Sequence, residues 1–438
     1  MIDSSYSSKS KKIVIIGLFS LLLIISSIYY VIILSEDNFN STSDDDDSNS
    51  LEVPPLVGNV PKGIRLTFIY NYNDSIVVSW YTEKNATNPK VVYSINANLF
   101  PSNVVKPNST QMSTSIFLYF AEIIHLQPNT TYYYQVSSDE NNKREIMNFT
   151  TLPNEDASNV TFLVYGDSRT QRLERNLLAK QIMESFRNQF EFTIHTGDIV
   201  EDGRDQNRWN NYFEDTELLN AFKQGVYAEG NHEGGLSTKM YDNLPMYSTE
   251  NKRYYYFSYG EIGFIILNSN NELDYTYNDA QTNWLNNTLF QISQKNTINF
   301  AFLHHPLLHN RSYDYHRAHW KPLFDKYNVS IIFCGHNHHY ERSYPLLNST
   351  TLEFDDSEHY KYNNLNDTIY IVTGGAGAPL RDVYSYDFIA ETTKAYHFLL
   401  VDVKKDPTKI IIKLESWAMI NEHNPLQLID NITLTKFL

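Results

Sequence analysis

A single cysteine, Cys334, stands in 438 residues. No intrachain disulfide can form, so every domain of this chain must be held by packing. An excess of positive charge is also missing. Lysine and arginine number 35 against 51 aspartates and glutamates, for a formal net charge of -16. That balance argues against a nucleic-acid partner and favours solubility at neutral pH. There is no internal repeat, and no motif offers a protein nucleophile. Gly374-Gly375-Ala376-Gly377 lacks a following helix with lysine and serine, so it reads as a rim loop, not a phosphate cradle. What is present is 42% hydrophobic residue, enough for two or more domains with cores. Tyrosine is frequent, at 33, and composition assigns it no role.

One stretch lacks charge altogether. Ile13 to Leu34 carries no charged residue and, at about 1.5 Å per residue, is long enough to cross a ~30 Å hydrocarbon core. Lys9, Lys11 and Lys12 precede it; Glu36, Asp37 and Asp44 to Asp47 follow. The positive-inside rule then predicts a cytoplasmic tail at 1–12, a transmembrane signal anchor at 13–34, and the rest of the chain in the secretory lumen or outside the cell. A cleaved signal peptide is the alternative. The length of the run and the absence of a small-x-small site favour the anchor. Residues 35–53, rich in Ser, Asn and Asp, read as an acidic flexible stalk. Asn-x-Ser/Thr recurs from Asn40 to Asn431, which fits a glycoprotein on that route.

Residues 54–153 read as all-β. Ser75 to Thr82, Val91 to Ser94 and Thr131 to Val136 are short apolar, β-branched runs, with a turn at Leu126 to Asn129. The spacing suggests a β-sandwich that resembles fibronectin type III domains. From Asn159 the pattern changes. Strands are expected at Val160–Tyr165, Phe190–His195, Gly225–Ala228, Ile298–Leu303, Ser330–Phe333, Thr368–Thr373, His397–Val403 and Lys409–Leu414. Tyr254–Tyr259 and Ile262–Asn268 form a candidate hairpin. Helices are expected at Gln171–Arg187, Asp279–Gln294 and Arg317–Tyr327. Alternating strands and helices imply a layered α/β domain over 158–438.

Residues of metal-ligand type recur where these strands end: Asp167-Ser168-Arg169, Gly197-Asp198, Gly230-Asn231-His232-Glu233, His304-His305-Pro306, and His336-Asn337-His338 after Gly335. Gly335 is expected to turn the chain tightly at its strand end. Sites in open α/β sheets form beyond the carboxyl ends of strands. Each motif alone is weak; the ordered set is specific.

The set resembles the calcineurin-like metallophosphoesterases, and within them the purple acid phosphatases. That branch shares an N-terminal fibronectin-like domain and a final motif running into Tyr340-Glu341-Arg342. The resemblance spans about residues 55–438. It implies a four-layer α/β/β/α sandwich preceded by the β-sandwich and the N-terminal helix. It implies that Asp198 bridges two metal ions, that Asp167 and His338 bind the first, and that Asn231, His304 and His336 bind the second. His232 would be a general acid or phosphate contact, Glu233 would lie behind the ligands, and His305 is either a bystander or a participant. Such ligands suit Fe, Zn or Mn. The implied activity is hydrolysis of phosphoric esters, with a monoester substrate first, a diester second, and a non-enzymatic surface glycoprotein as the rival from another class.

Two departures stand out. Arg169 occupies a position where the purple branch has glycine and other members have a histidine. Glu201 replaces the tyrosine that binds ferric iron, so no purple charge-transfer band is expected. Glu201 or Asp202 could complete the coordination. Arg169 could fork onto substrate phosphate or pair with Glu201 or Asp202. Of the histidines between the last two motifs (His309, His316, His319), His309 is the strongest candidate for a substrate contact.

Overall fold

The computed structural model describes residues 58–438, apart from 68–72, 155–158, 234–252, 271–274, 309–313, 349–352, 355–359, 364–366 and 421–425. Two large sheets face each other. The first has eleven strands and the second seven. Strands Asn159–Tyr165, Phe192–His195 and Gln224–Tyr227 run parallel in the first sheet. Ile262–Ile266, Ile298–Phe302, Ile331–Cys334 and Ile369–Thr373 run parallel in the second. Apart from exposed Asn159 and half-buried Thr161, these strands are buried along their length, which is why they read as near-continuous apolar runs.

The layer between the sheets is aromatic. Phe162 stacks on Phe192 at 5.7 Å and meets Phe264 and Phe300 edge-on at 5.2 and 5.5 Å. Helix Arg172–Phe186 covers the outer face of the first sheet through Leu178, Ile182 and Phe186. Helices Tyr275–Ile292 and Asp314–Lys326 cover the second through Leu285, Leu289, Trp320 and Phe324. The order is helix, sheet, sheet, helix. The Tyr340-Glu341-Arg342 run braces it. Tyr340 Oη and Arg342 Nε both donate to Asp430 Oδ2 at 2.6 Å, joining one sheet to the last strand of the other.

The N-terminal strands form a four-stranded sheet, Asn103–Val105, Lys90–Ser94, Thr131–Ser137 and Met147–Thr150, facing a second set. That second set, Lys62–Thr67, Ile76–Thr82, Ile116–Ile123 and Asn108–Ser113, is no separate sheet. Lys62–Thr67 pairs parallel with Gln224–Tyr227 and extends the eleven-stranded sheet. The pairing joins residues far apart in sequence, through one register of Leu66 with Gln224.

The expected transmembrane helix is corrected. Among the described residues no helix is long and apolar enough to cross a membrane. Tyr275–Ile292 has the length, at 18 residues, but Asn278, Asp279, Gln281 and Asn286 interrupt its apolar character and it serves as a covering layer. The tail, the apolar run 13–34 and the stalk lie outside the described residues. The architecture is an α/β sandwich with an N-terminal β-sheet domain. Membrane attachment and a single-pass luminal or extracellular placement rested on that helix, and no helix of the described residues supports them.

A cavity of about 300 Å³ opens between the N-terminal strands and the first sheet, lined among others by Asn148, Arg187, Phe190, Glu191 and Lys223. Burial pushes Glu191 up to about 7 and Lys223 down to about 8. A carboxyl raised on folding binds its proton more tightly in the folded state, so its stabilising share is complete below the ordinary glutamate range and is lost as pH rises through about 7. Melting temperatures across pH 4.5–7.5 should therefore fall less steeply for Glu191→Gln than for the parent chain.

Candidate metal centre

Parallel strands bring their carboxyl ends to one edge, and the ligand-type residues gather there. Asp167, Asp198, His304 and His338 are buried. His304 Nε2 lies 3.2 Å from Asp198 Oδ1 and 3.0 Å from Asn231 Oδ1. His336 Nδ1 lies 3.1 Å from the same Asn231 oxygen. His338 Nε2 is 3.5 Å from Asp167 Oδ1. The His336 backbone N–H donates to both Asp167 carboxylate oxygens, at 3.0 and 2.8 Å. Two metal-sized groupings result, Asp167 with Asp198 and His304, and His304 with His305 and His336.

The backbone is strained to do this. Asp167, Asp198 and His336 adopt φ of 57°, 55° and 69°, in the left-handed region that side chains rarely occupy. Gly335 has a different role from the tight turn expected of it. It is absent from the positive-φ glycines; a Cβ there would collide with Asp167 Oδ2. Gly230 makes the same room for Asp198.

Behind the ligands lie Glu233, expected there, and further supports that motif reading did not find. Gly197 N–H donates to His195 Nδ1 at 3.1 Å, so His195 Nε2 carries the proton and donates to Ser168 Oγ at 2.9 Å. Ser168 Oγ donates in turn to the Ile199 carbonyl at 3.0 Å. One buried ring thus links the Asp167 loop to the Asp198 loop. Burial, then His304, pushes His195 down to about 3 and keeps it neutral. Glu233 accepts from the backbone N–H groups of Asp198, Ile199, Val200 and Gly230 at 3.0, 2.8, 3.1 and 2.7 Å. Ser269 Oγ lies 2.8 Å from His305 Nδ1 and accepts from the His305 backbone N–H at 2.9 Å. These partners come from distant strands, so spacing in the sequence does not reveal them.

The donors fit metal cations. His304 Nδ1 donates to the Thr196 carbonyl at 3.0 Å, and His338 Nδ1 to the Pro379 carbonyl at 2.7 Å. Each ring thereby presents Nε2 toward a carboxylate, the arrangement that orients metal-binding histidines. Burial pushes His336 to about 3 and His338 to about 2, so both are neutral imidazoles. Burial opposes charge on His304 too, but Asp198 and then Asp167 outweigh it and lift that ring to about 9. With Nδ1 committed, the lone pair of neutral His304 Nε2 would face two oxygen lone pairs. The site calls for a positive charge at that point. Asp198 is held well below the carboxylate range, burial being outweighed by His304, His232 and Arg169, whereas burial lifts Asp167 to about 7.

His232 stands at the edge. Its Nδ1 bonds the Glu201 carbonyl at 2.7 Å and its Nε2 lies 3.8 Å from Asp198 Oδ2. Arg169 pairs with the Glu201 carboxylate; its Nε sits 3.6 Å from Asp198 Oδ2 and its Nη2 3.4 Å from His338 Nε2. Asp202 turns to Arg204 at 2.7 Å. Both acids are thus paired with arginines. His309 lies outside the described residues. His316 is buried 3.3 Å from Asn278, and His319 stacks on Tyr315 at 4.2 Å. Because Arg169 is already committed, Arg169→Lys should leave KM for phosphate esters within about twofold while kcat falls several-fold, since a point cation cannot keep three contacts. Steady-state kinetics would check this.

Comparison with known proteins agrees with this geometry. Residues 160–340 match the calcineurin-like phosphoesterase family, and residues 61–151 match the purple acid phosphatase N-terminal domain. Purple acid phosphatase 5 of Arabidopsis thaliana is 25% identical over 342 residues, covering 74% of this chain and 81% of that one. A protein named probable inactive purple acid phosphatase 24, also from Arabidopsis thaliana, is 23% identical over 350 residues, 67% of this chain and 56% of that one. Among solved structures, the purple acid phosphatase PPD1 from yellow lupin seeds superposes with a TM-score of 0.70 at 20% identity, over 86% of this chain and 75% of that one. The fold and the His/Asp cluster are those of a metallophosphoesterase. The chain belongs to the calcineurin-like metallophosphoesterase superfamily that includes the purple acid phosphatases, and carries their N-terminal domain.

Proposed function

We propose that this protein hydrolyses phosphoric monoesters, with residues 158–438 carrying the chemistry and residues 54–153 supporting it. The observation that carries the reading is Asp198. It is a buried carboxylate with one oxygen 3.2 Å from the Nε2 of His304, the ring common to both donor groupings, and the other facing His232 and Arg169. Asp167 and His338 would hold one metal ion, Asn231, His304 and His336 the other, and Asp198 both. The donor set of carboxylate, amide oxygen and imidazole suits Fe, Zn or Mn. Bound metal would supply an activated water and neutralise phosphate charge.

The chain's own groups do the rest. His195, Ser168 and Glu233 hold the aspartate loops in place, and the two carbonyl-anchored histidines keep their Nε2 lone pairs aimed inward. His232 bonds a carbonyl through Nδ1, so Nε2 is the atom that would hand a proton to the leaving oxygen. A diesterase would use the same core. A non-enzymatic binding role has a relative named as probably inactive in its favour. Turnover of paired p-nitrophenyl mono- and diesters by metal-loaded protein tests the reading. Faster monoester hydrolysis that a chelator abolishes is expected. Bound metal with no turnover would favour the binder.

A further inference from the structure

We propose that Arg381 selects phosphomonoesters over diesters by placing its guanidinium on the free phosphate oxygens beside the metal centre. The proposal rests on the functional reading above and adds to it the residue that sets substrate class.

The loop Gly374–Arg381 is laced onto both aspartate and histidine segments. Ala376 N–H donates to the Gly166 carbonyl at 2.9 Å and Ala378 N–H to the Asp167 carbonyl at 2.8 Å. Pro379 O takes the His338 Nδ1 proton at 2.7 Å, and Arg381 N–H donates to the His338 carbonyl at 3.1 Å. The backbone of Arg381 is therefore fixed at the rim of the site. Its side chain is close enough to feel Asp167, Asp198 and Arg169, and to depress His336 and His338 in turn.

Arg381 differs from Arg169 in one respect. Arg169 is matched by the Glu201 carboxylate. Among the described residues no carboxylate forms an ion pair with Arg381, and the adjacent acid, Asp382, is taken by Lys394 at 2.8 Å. Burial first, and then Arg169, lower the pKa of Arg381 despite the attraction of the two aspartates. No ion pair occupies its guanidinium among the described residues, and Arg381 is exposed, so a ligand can reach it. An arginine fork matches two phosphate oxygens at once. A monoester dianion carries one more negative charge than a diester monoanion, and the diester's second substituent blocks an oxygen the fork would take. A fixed extra cation therefore favours the monoester.

The test compares parent chain, Arg381→Gln and Arg381→Lys, each metal-loaded and checked by elemental analysis. kcat/KM is measured on p-nitrophenyl phosphate and on bis(p-nitrophenyl) phosphate, and inorganic phosphate binding is measured by calorimetry. Arg381→Gln should lose roughly 10- to 100-fold on the monoester, the worth of a charge-assisted fork, and under about threefold on the diester. Phosphate affinity should weaken in parallel, metal content should hold, and lysine should restore only part of the loss. Equal losses on both esters, unchanged monoester kinetics, or a fall in metal content would overturn the proposal. Should the parent chain hold metal and hydrolyse neither ester, the functional reading fails by itself. Phosphate binding then decides Arg381, with unchanged affinity in Arg381→Gln counting against it.

Discussion

Asp198→Asn should lower kcat/KM on a phosphomonoester by roughly 10³-fold, because several kcal/mol of transition-state charge stabilisation depend on the metal centre it joins. The substitution is nearly isosteric, so it isolates charge from shape. Asparagine can still accept the His232 backbone N–H at 3.0 Å through Oδ1, and the left-handed backbone at this position, φ 55°, is one that asparagine tolerates. What is lost is the negative charge between His304, His232 and Arg169. Melting temperature should fall, because the buried charge that offsets His304 and Arg169 is removed, and bound metal should fall below that of the parent chain. Kinetics and elemental analysis on the same preparation check both halves.

Glu233→Gln should cost about 2–4 kcal/mol of stability, because buried N–H donors would face an amide NH₂ instead of an acceptor. Glu233 is fully buried. Oε1 accepts from Ile199 and Val200, and Oε2 from Asp198 and Gly230. Whichever way the glutamine amide is turned, two backbone donors meet its NH₂. The same four donors shape the Asp198 and Asn231 loops, so metal affinity should drop roughly 10- to 100-fold as the support behind the ligands is lost. Thermal unfolding and metal titration would show it. A variant with parent stability and parent affinity would mean the four hydrogen bonds carry little.

Much of this arrangement was legible before the fold was known, and for physical reasons. Parallel strands buried on both faces write themselves as apolar runs, so Val160–Tyr165, Ile298–Leu303 and Ser330–Phe333 stood out, and the observed strands differ from them by a residue or so at the ends. Ligand-type residues just beyond such runs could then be placed at one sheet edge. What stayed hidden depends on contacts across long sequence separations. His195 reads as the end of a strand, and nothing local says that its ring ties Ser168 to Gly197. Sequence leaves Arg169 two roles, and its pairing with Glu201 depends on a contact across 32 residues. The left-handed conformations of Asp167, Asp198 and His336 leave no mark in composition. The Gly374 to Gly377 loop reads as a rim loop, but nothing local marks the arginine four residues on. The merging of the N-terminal strands into the eleven-stranded sheet rests on the Leu66–Gln224 register, and no spacing rule foresees that.

The central claim is that one aspartate serves two cations held by separate parts of the chain. Anomalous diffraction from metal-loaded crystals tests it most directly. Two peaks about 3.5–4 Å apart are predicted, both in contact with Asp198, one flanked by Asp167 and His338 and the other by Asn231, His304 and His336. A single peak, or two peaks of which Asp198 touches only one, would contradict the account.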